Sequence, residues 1–408
     1  MNCRHCSSQL ELSFVDLGSA PPSNAYMTVD QLTTFEKWFP LRVLVCQSCW
    51  LVQTEDFAAA EELFDSEYAY FSGFSSSWVT HCERYVDDMT ERFSLGNKHH
   101  FIEVASNDGT LLQFAAKKGM QATGIEPTHA TAQAARTRGL TVVEEFLGEE
   151  TGSAIRGQYG PADLIAANNV LAHVPDINSF TSGIAALLGS GGVVTFEFPH
   201  IVNLVAHNQF DTIYHEHFSY LSLLAVSNIL EAAGLHVFDV QELPTHGGSL
   251  RVFAQHATTG KQVVAGAVGD MLAREDSAGV TTAIYYSTFQ SKVEHVKNQA
   301  LRFLLDAADR GERVVGYGAA AKGNTLLNYA GVRRDLLSYV VDLNPAKQGK
   351  WMPGSRIPIV SDSALTEQAP DYVVILPWNL RDEVVNQLGA VRDSGAKFVT
   401  FIPELQVW

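Results

Sequence analysis

The chain has 408 residues, 46% of them hydrophobic and only 18% charged, a balance that excludes disorder and predicts two or three folded domains. Its formal net charge is −17 and no Lys/Arg cluster exceeds a pair such as Lys117-Lys118 or Arg333-Arg334, which disfavours a nucleic-acid binder. No apolar run reaches the roughly 18 residues that span a bilayer. A small-molecule partner is therefore expected, with no nucleic acid and no membrane.

The first block, residues 1–73, carries two C-x2-C pairs, Cys3/Cys6 and Cys46/Cys49. Four thiolates on two tight turns suit the tetrahedral preference of zinc and leave no open position, so the predicted metal is structural. Residues 7–45 are too many for the shortest zinc ribbons and predict a small β-rich lobe between the pairs, with strands around PLRVLVCQSCWLVQ. Two disulfides are the rival reading. The N-terminus has no feature of a secretory leader and Cys82 is left over, which favours zinc and a reducing, cytoplasmic setting.

The second block, residues 74–260, alternates strands and helices. Strand patterns occur at Phe101–Ala105, Ala122–Glu126, Leu140–Glu144, Asp163–Leu171 and Gly191–Pro199; helical spacing occurs at Ser179–Gly189 and Leu223–Gly234. Leu235–Leu243 and Ser249–His256 read as a hairpin around His246-Gly247-Gly248-Ser249. The expectation is a doubly wound, Rossmann-like sheet with an antiparallel edge. FIEVASNDG, from Phe101, is a strand entering a small-residue turn ahead of a helix. Glu103, Ala105, Asn107 and Gly109 lie on it, and Glu126 ends the next strand, where a carboxylate can hold ribose hydroxyls. Asn168 ends a later strand. Because the full glycine fingerprint for a pyrophosphate is missing, S-adenosylmethionine fits this turn better than NAD.

Tyr214-His215-Glu216-His217-Phe218-Ser219-Tyr220 crowds two imidazoles, a carboxylate and two phenols into one short run. Burying these groups is costly unless each finds a partner, and together they are equipped to move a proton. A polar surface loop or a metal-binding tract remain open readings of the same residues.

A helical stretch near Tyr285–Arg310 leads to a third block, residues 261–408. It opens with a second strand-turn-helix, in which Val314-Val315 is the strand, Gly316–Gly323 the turn and Asn324 the start of the helix. Gly318 leaves backbone room and Lys322 brings a positive charge, so a diphosphate cradle is predicted, against a purely structural lobe as the other reading. Strand patterns follow in LLSYVV, PDYVVILPWN and AKFVTFIPEL.

The tandem knuckles, EVASNDG, NNVLAHVPD, YHEHFSY, HGGSLR and GYGAAAKG, in this order and spread over nearly the whole chain, resemble one enzyme family. It is the zinc-containing, S-adenosylmethionine-dependent sugar carbon-3 methyltransferases of deoxysugar biosynthesis. The resemblance implies methylation of a nucleoside-diphosphate 4-keto-6-deoxysugar at carbon 3 through an enolate. It implies His217 as the base, with Glu216, Tyr214 and His173 as its companions and Tyr68 facing the sugar. Methylation of oxygen or nitrogen on the same fold, a non-catalytic nucleotide-sugar binder, and a reductase using the GYGAAAKG turn are the alternatives. Three cooperating lobes in one chain are compatible with a monomer or a weak oligomer.

Overall fold

The computed structural model describes residues 1–57, 72–74 and 76–408. Three sheets organise them. In the N-terminal lobe β1 (Leu12–Ala20) pairs antiparallel with β2 (Phe39–Val45), and β2 with β3 (Val52–Thr54). Cys46 and Cys49 lie in the turn joining β2 to β3. The fourth strand of this sheet is the Ser219–Tyr220 end of the YHEHFSY run, antiparallel to β3. The acid-base run is thus stapled into the cysteine-bearing lobe, a pairing between positions too distant in sequence for periodicity to show.

The central sheet contains β4 (His100–Val104), β5 (Gln121–Ile125), β6 (Thr141–Val143), β7 (Ala162–Asn168) and β8 (Leu188–Pro199). After the short strand β9 (Ser219–Tyr220), β10 (Leu235–Leu243) and β11 (Ser249–His256) complete it. The order across the sheet is β10-β11-β8-β7-β4-β5-β6. The five strands from β4 to β8 run parallel, while β11 is antiparallel to both β8 and β10. Every residue of β4 is buried, as expected for a strand covered on both faces. Helices Ser76–Arg92, Leu112–Lys117 and His129–Thr137 cover one face, and Glu149–Tyr159, Ile177–Leu187, Leu223–Ala232 and Gly266–Ala278 the other. Two of these helices start with side-chain caps: Asp176 accepts from the Ser179 amide at 2.9 Å and Ser222 from the Ala225 amide at 3.0 Å. The chain winds outward from β4 through β5 to β6 and returns to β7 on the far side of β4. That reversal opens a crevice at the carboxyl ends of β4 and β7, where ligands of such sheets bind.

The last sheet has the order β14-β13-β12-β15-β16-β17, formed by β12 (Val314–Tyr317), β13 (Val340–Val341), β14 (Ile359–Val360), β15 (Tyr372–Ile375), β16 (Lys397–Thr400) and β17 (Gln406–Val407). All neighbours are parallel except β16 and β17. The helix after β12 starts at Ala321, three residues before the predicted Asn324. Ala320 is extended and its carbonyl already accepts from the Asn324 amide, which places Lys322 inside the first helical turn. The strand predicted across LLSYVV pairs only at Val340–Val341, because Leu336 and Leu337 are taken up in a turn on the Arg333 carbonyl.

One apolar core crosses all three parts. It joins Phe14 and Leu41 of the N-terminal sheet to Ile201 and Phe210, to Phe289 and Val293 of the helix Phe289–Asp309, and to Val314 and Leu326. Polar bonds pin the same junction. The Tyr26 hydroxyl donates to the Ala319 carbonyl at 2.6 Å and the Thr325 hydroxyl to the Ile213 carbonyl at 2.7 Å.

Candidate active site

The two cysteine knuckles are conformational copies. Each is followed by a left-handed residue, Ser7 after the first and Trp50 after the second, which folds the turn back on itself. The four sulfurs lie within 4.8 Å of one another, with Cys3 Sγ 3.6 Å from Cys49 Sγ and Cys6 Sγ 3.5 Å from Cys46 Sγ. A tetrahedron of ~2.3 Å Zn–S bonds has edges of about 3.8 Å, so the donor set fits zinc. With four thiolates and no vacant position, the metal serves structure. The knuckle also reaches the YHEHFSY run. Arg4 donates to the carbonyls of Pro175 (2.9 Å) and Thr54 (3.0 Å), pairs with Asp56 (2.8 Å) and lies over the Phe218 ring.

At the crevice of the central sheet, Ala105, Asn107 and Gly109 all hold positive φ, so the turn after β4 coils tightly. Gly109 is required there: its φ is +77° and an added Cβ would strike Leu140 and Ala135. Glu126, buried at the end of β5, ties this turn down. Its Oε2 accepts from the Asn107 amide (2.9 Å), and its Oε1 accepts from the Thr128 amide (3.0 Å) and the Thr131 hydroxyl (3.1 Å). A carboxylate offers about four acceptor positions, so ribose hydroxyls can share it with these partners. Glu103 is buried beneath the turn, and burial pushes its carboxyl well above the usual carboxylate range. Among the described residues, neither polar atom of the Asn168 amide, at the end of β7, has a partner. An unsatisfied amide beside a coiled turn and an acidic strand end is the donor and acceptor set that an adenosyl amino acid needs. Glu126→Ala is expected to weaken S-adenosylhomocysteine binding by about one to two orders of magnitude in calorimetry, the loss of a charge-assisted pair.

The acid-base run joins the segment that follows β7, where the Phe218 amide donates to the Ala172 carbonyl at 2.8 Å. His217 is buried, with Nδ1 2.7 Å from the Thr212 carbonyl oxygen, an atom that can only accept. Nδ1 therefore carries the proton and Nε2 keeps its lone pair, accepting from the Tyr214 hydroxyl at 2.8 Å. His173 stands edge-on to it at 4.5 Å between ring centres, with Nδ1 donating to the Glu216 carbonyl at 2.8 Å. Burial holds both rings neutral, moving His217 well below the ordinary imidazole value and His173 down to about 4. The Glu216 carboxylate does not orient either ring. It turns toward the N-terminal lobe, where the Asn24 amide and side chain donate to it, and burial raises its pKa; the orienting group is its main-chain carbonyl. His215 also faces that lobe, donating to Pro40. Tyr68 lies outside the described residues.

The two C-terminal candidates part company. Gly318 (φ +85°) is fixed by backbone bonding to Val341 and by Pro377, which leaves no room for a side chain, and the Ala319 amide is taken by Asp342. Lys322 instead points toward Trp378 and the Asp211–Thr212 segment. Its Nζ donates to Asn379 (2.9 Å) and sits 4.7 Å from the centre of the Trp378 ring. Trp378 in turn donates its indole N–H to Asp211 (2.8 Å), the neighbour of the Thr212 carbonyl that anchors His217. Burial raises Asp211 to about 7, while Lys322 pulls it back down. Asp211 and Trp378 are missing from the sequence reading because they are far apart and neither sits in a polar cluster. The surroundings of the buried Glu197 are missing for the same reason: His81 lies at 2.8 Å from its carboxylate and Arg251 at 2.7 Å.

Three sequence families match consecutive parts of the chain. They are a zinc binding domain over residues 3–64, a methyltransferase domain over residues 78–240, and a C-methyltransferase C-terminal domain over residues 244–403. The C-methyltransferase NovU of Streptomyces niveus is 35% identical over 405 residues, covering 99% of this chain and 96% of its own. A ubiquinone biosynthesis O-methyltransferase of Pasteurella multocida is 33% identical over 106 residues, 23% of this chain and 44% of its own. Among solved structures, an S-adenosylmethionine-dependent methyltransferase of Anabaena variabilis overlays 49% of this chain and 96% of its own at 14% identity and a TM-score of 0.39. The chain belongs to the C-methyltransferase family that includes NovU. It is an enzyme that uses S-adenosylmethionine, built on a Rossmann-like methyltransferase domain with a zinc lobe before it and an α/β domain after it.

Proposed function

We propose that the enzyme methylates carbon 3 of a nucleoside-diphosphate 4-keto-6-deoxysugar. The observation that carries this reading is the state of His217: a buried, neutral imidazole whose Nδ1–H is tethered to Thr212 and whose Nε2 is poised to accept a proton. Carbon methylation needs a base of this kind, because a C–H beside a carbonyl must be ionised before the carbon can attack. Bound in the crevice, S-adenosylmethionine supplies a methyl group on a positively charged sulfur. His217 Nε2 takes the carbon-3 proton. The Tyr214 hydroxyl, which holds Nε2 until an acceptor displaces it, then donates to the carbon-4 oxygen as charge gathers there. His173, beside His217, is itself held neutral by burial. Lys322 brings a cation from the C-terminal lobe to the side of the cleft where a sugar nucleotide enters. A zinc site of four thiolates fits a cytoplasmic enzyme.

Incubating the protein with methyl-labelled S-adenosylmethionine and a mixture of 4-ketosugar nucleotides, then reading products by mass spectrometry, tests the acceptor class. Label in a 4-keto-6-deoxysugar nucleotide is expected. Label confined to phenols, amines or sugars lacking the ketone overturns the reading.

A further inference from the structure

The outline above makes no use of the His246-Gly247-Gly248-Ser249 turn between β10 and β11. His246 holds φ +55° and ψ +22° in the left-handed region, which non-glycine residues adopt uncommonly though histidine more readily than most. Its surroundings enforce it. The Gln209 side chain donates to the Gly247 carbonyl at 2.8 Å, the Ser249 hydroxyl donates to the Thr245 carbonyl at 2.9 Å, and the His200 amide donates to the Gly248 carbonyl at 3.1 Å. Gln209 begins the same short segment that carries Asp211 and Thr212, so this turn is latched to the segment anchoring His217.

The imidazole of His246 lies 5.8 Å, centre to centre, from Trp78, whose ring stacks on His81 at 5.0 Å. Trp78 starts the helix that follows Ser72 and Gly73, and those two residues donate to Asn107 and Asp108 of the cofactor turn. On its other side the turn packs against Trp378 and Gln209, which an added Cβ on Gly247 would strike, and burial holds His246 neutral with a pKa near 4. The turn therefore stands between the helix packed on the cofactor turn and the Gln209–Thr212 segment that anchors His217. Among the described residues, neither of its ring nitrogens makes a hydrogen bond. A half-buried imidazole, held in the left-handed region with ring nitrogens that make no hydrogen bond among the described residues, on a turn latched to the segment that anchors His217, is placed to meet a substrate.

We propose that His246 is a further catalytic residue, whose ring N–H donates to the carbon-4 oxygen while the enolate forms. No proton leaves His246 in this step: the carbon-3 proton goes to His217, and the oxygen charge is shared between the His246 and Tyr214 donors. The proposal rests on the carbon-methylation reading above.

The left-handed backbone gives a clean test. His246→Gly suits that conformation better than histidine does, so its melting temperature should equal or exceed that of the wild type. Its kcat is expected to fall about 100-fold, the usual loss of one oxyanion donor. Exchange of the carbon-3 proton with deuterated water should slow in parallel, and S-adenosylhomocysteine affinity should hold. His246→Asn, which tolerates the left-handed region and keeps a donor, should recover part of the rate. Exchange and kcat within about twofold of wild type in His246→Gly would overturn the proposal, as would a rate loss explained by cofactor affinity alone. If the wild type itself exchanges no proton from any 4-ketosugar nucleotide, the carbon-methylation reading fails and takes this one with it. Wild-type exchange with an equally fast variant removes only this one.

Discussion

Replacing His217 with asparagine is expected to lower kcat on the order of 100-fold or more while leaving the protein folded and able to bind S-adenosylhomocysteine. Asparagine retains much of the volume and a donor for the Thr212 carbonyl, but it has no basic nitrogen at the Nε2 position. Steady-state kinetics and exchange of the carbon-3 proton without a methyl donor report the loss separately. Wild-type exchange in the variant would pass the role of base to His173, the ring 4.5 Å away. The pH dependence follows from the same environment. A base works unprotonated, and burial, helped by His173 and Lys322, lowers the His217 pKa. The acid limb of kcat/KM should therefore lie below the ordinary imidazole value of ~6.5, with a flat profile between about pH 6.5 and 8. Stability has the corresponding sign. His173 and His246, both near 4 when folded, bind fewer protons than in the unfolded chain as pH drops below ~6.5, so both oppose folding increasingly toward pH 4. Asp211, raised to about 7, acts in the opposite direction over part of that range.

Removing zinc, by chelation or by Cys46→Ser, is expected to lower the melting temperature by about 10 °C or more and to abolish methyl transfer. Structural zinc contributes roughly 10–16 kcal/mol in zinc-finger peptides. Even a third of that, at ~2–4 °C per kcal/mol, reaches such a shift. Activity is expected to go with it because the knuckle supports the run proposed to hold the base through Arg4, and because β3, next to the second knuckle, pairs with Ser219–Tyr220. Elemental analysis should find about one zinc per chain. Metal-free protein with an unchanged melting temperature and kcat would contradict this.

What the sequence made legible was local. β10 and β11 end where the pattern placed them, at Leu235–Leu243 and Ser249–His256, because Gly234 and the His246–Ser249 turn interrupt long alternating runs. The four cysteines converge because C-x2-C spacing already fixes each half of the site. Signals split between distant segments were harder to read. The contact of Glu216 with a histidine ring is made by its main-chain carbonyl, on His173, a distinction residue identity does not carry. The helix at Ala321 begins early because the Gly316–Gly323 run offers several equivalent starts, and only backbone bonding chooses among them. Asp211, Trp378 and Lys322 meet only once the C-terminal lobe packs on the Phe210–Ile213 turn.

The central claim, methyl transfer to carbon 3, is tested most directly by NMR of the product formed with carbon-13 methyl-labelled S-adenosylmethionine and a 4-keto-6-deoxysugar nucleotide. The account predicts a labelled C-methyl resonance with long-range correlations to sugar carbons 2, 3 and 4. A labelled methyl at an O-methyl shift, or correlated to any sugar carbon other than 3 as its point of attachment, would contradict it.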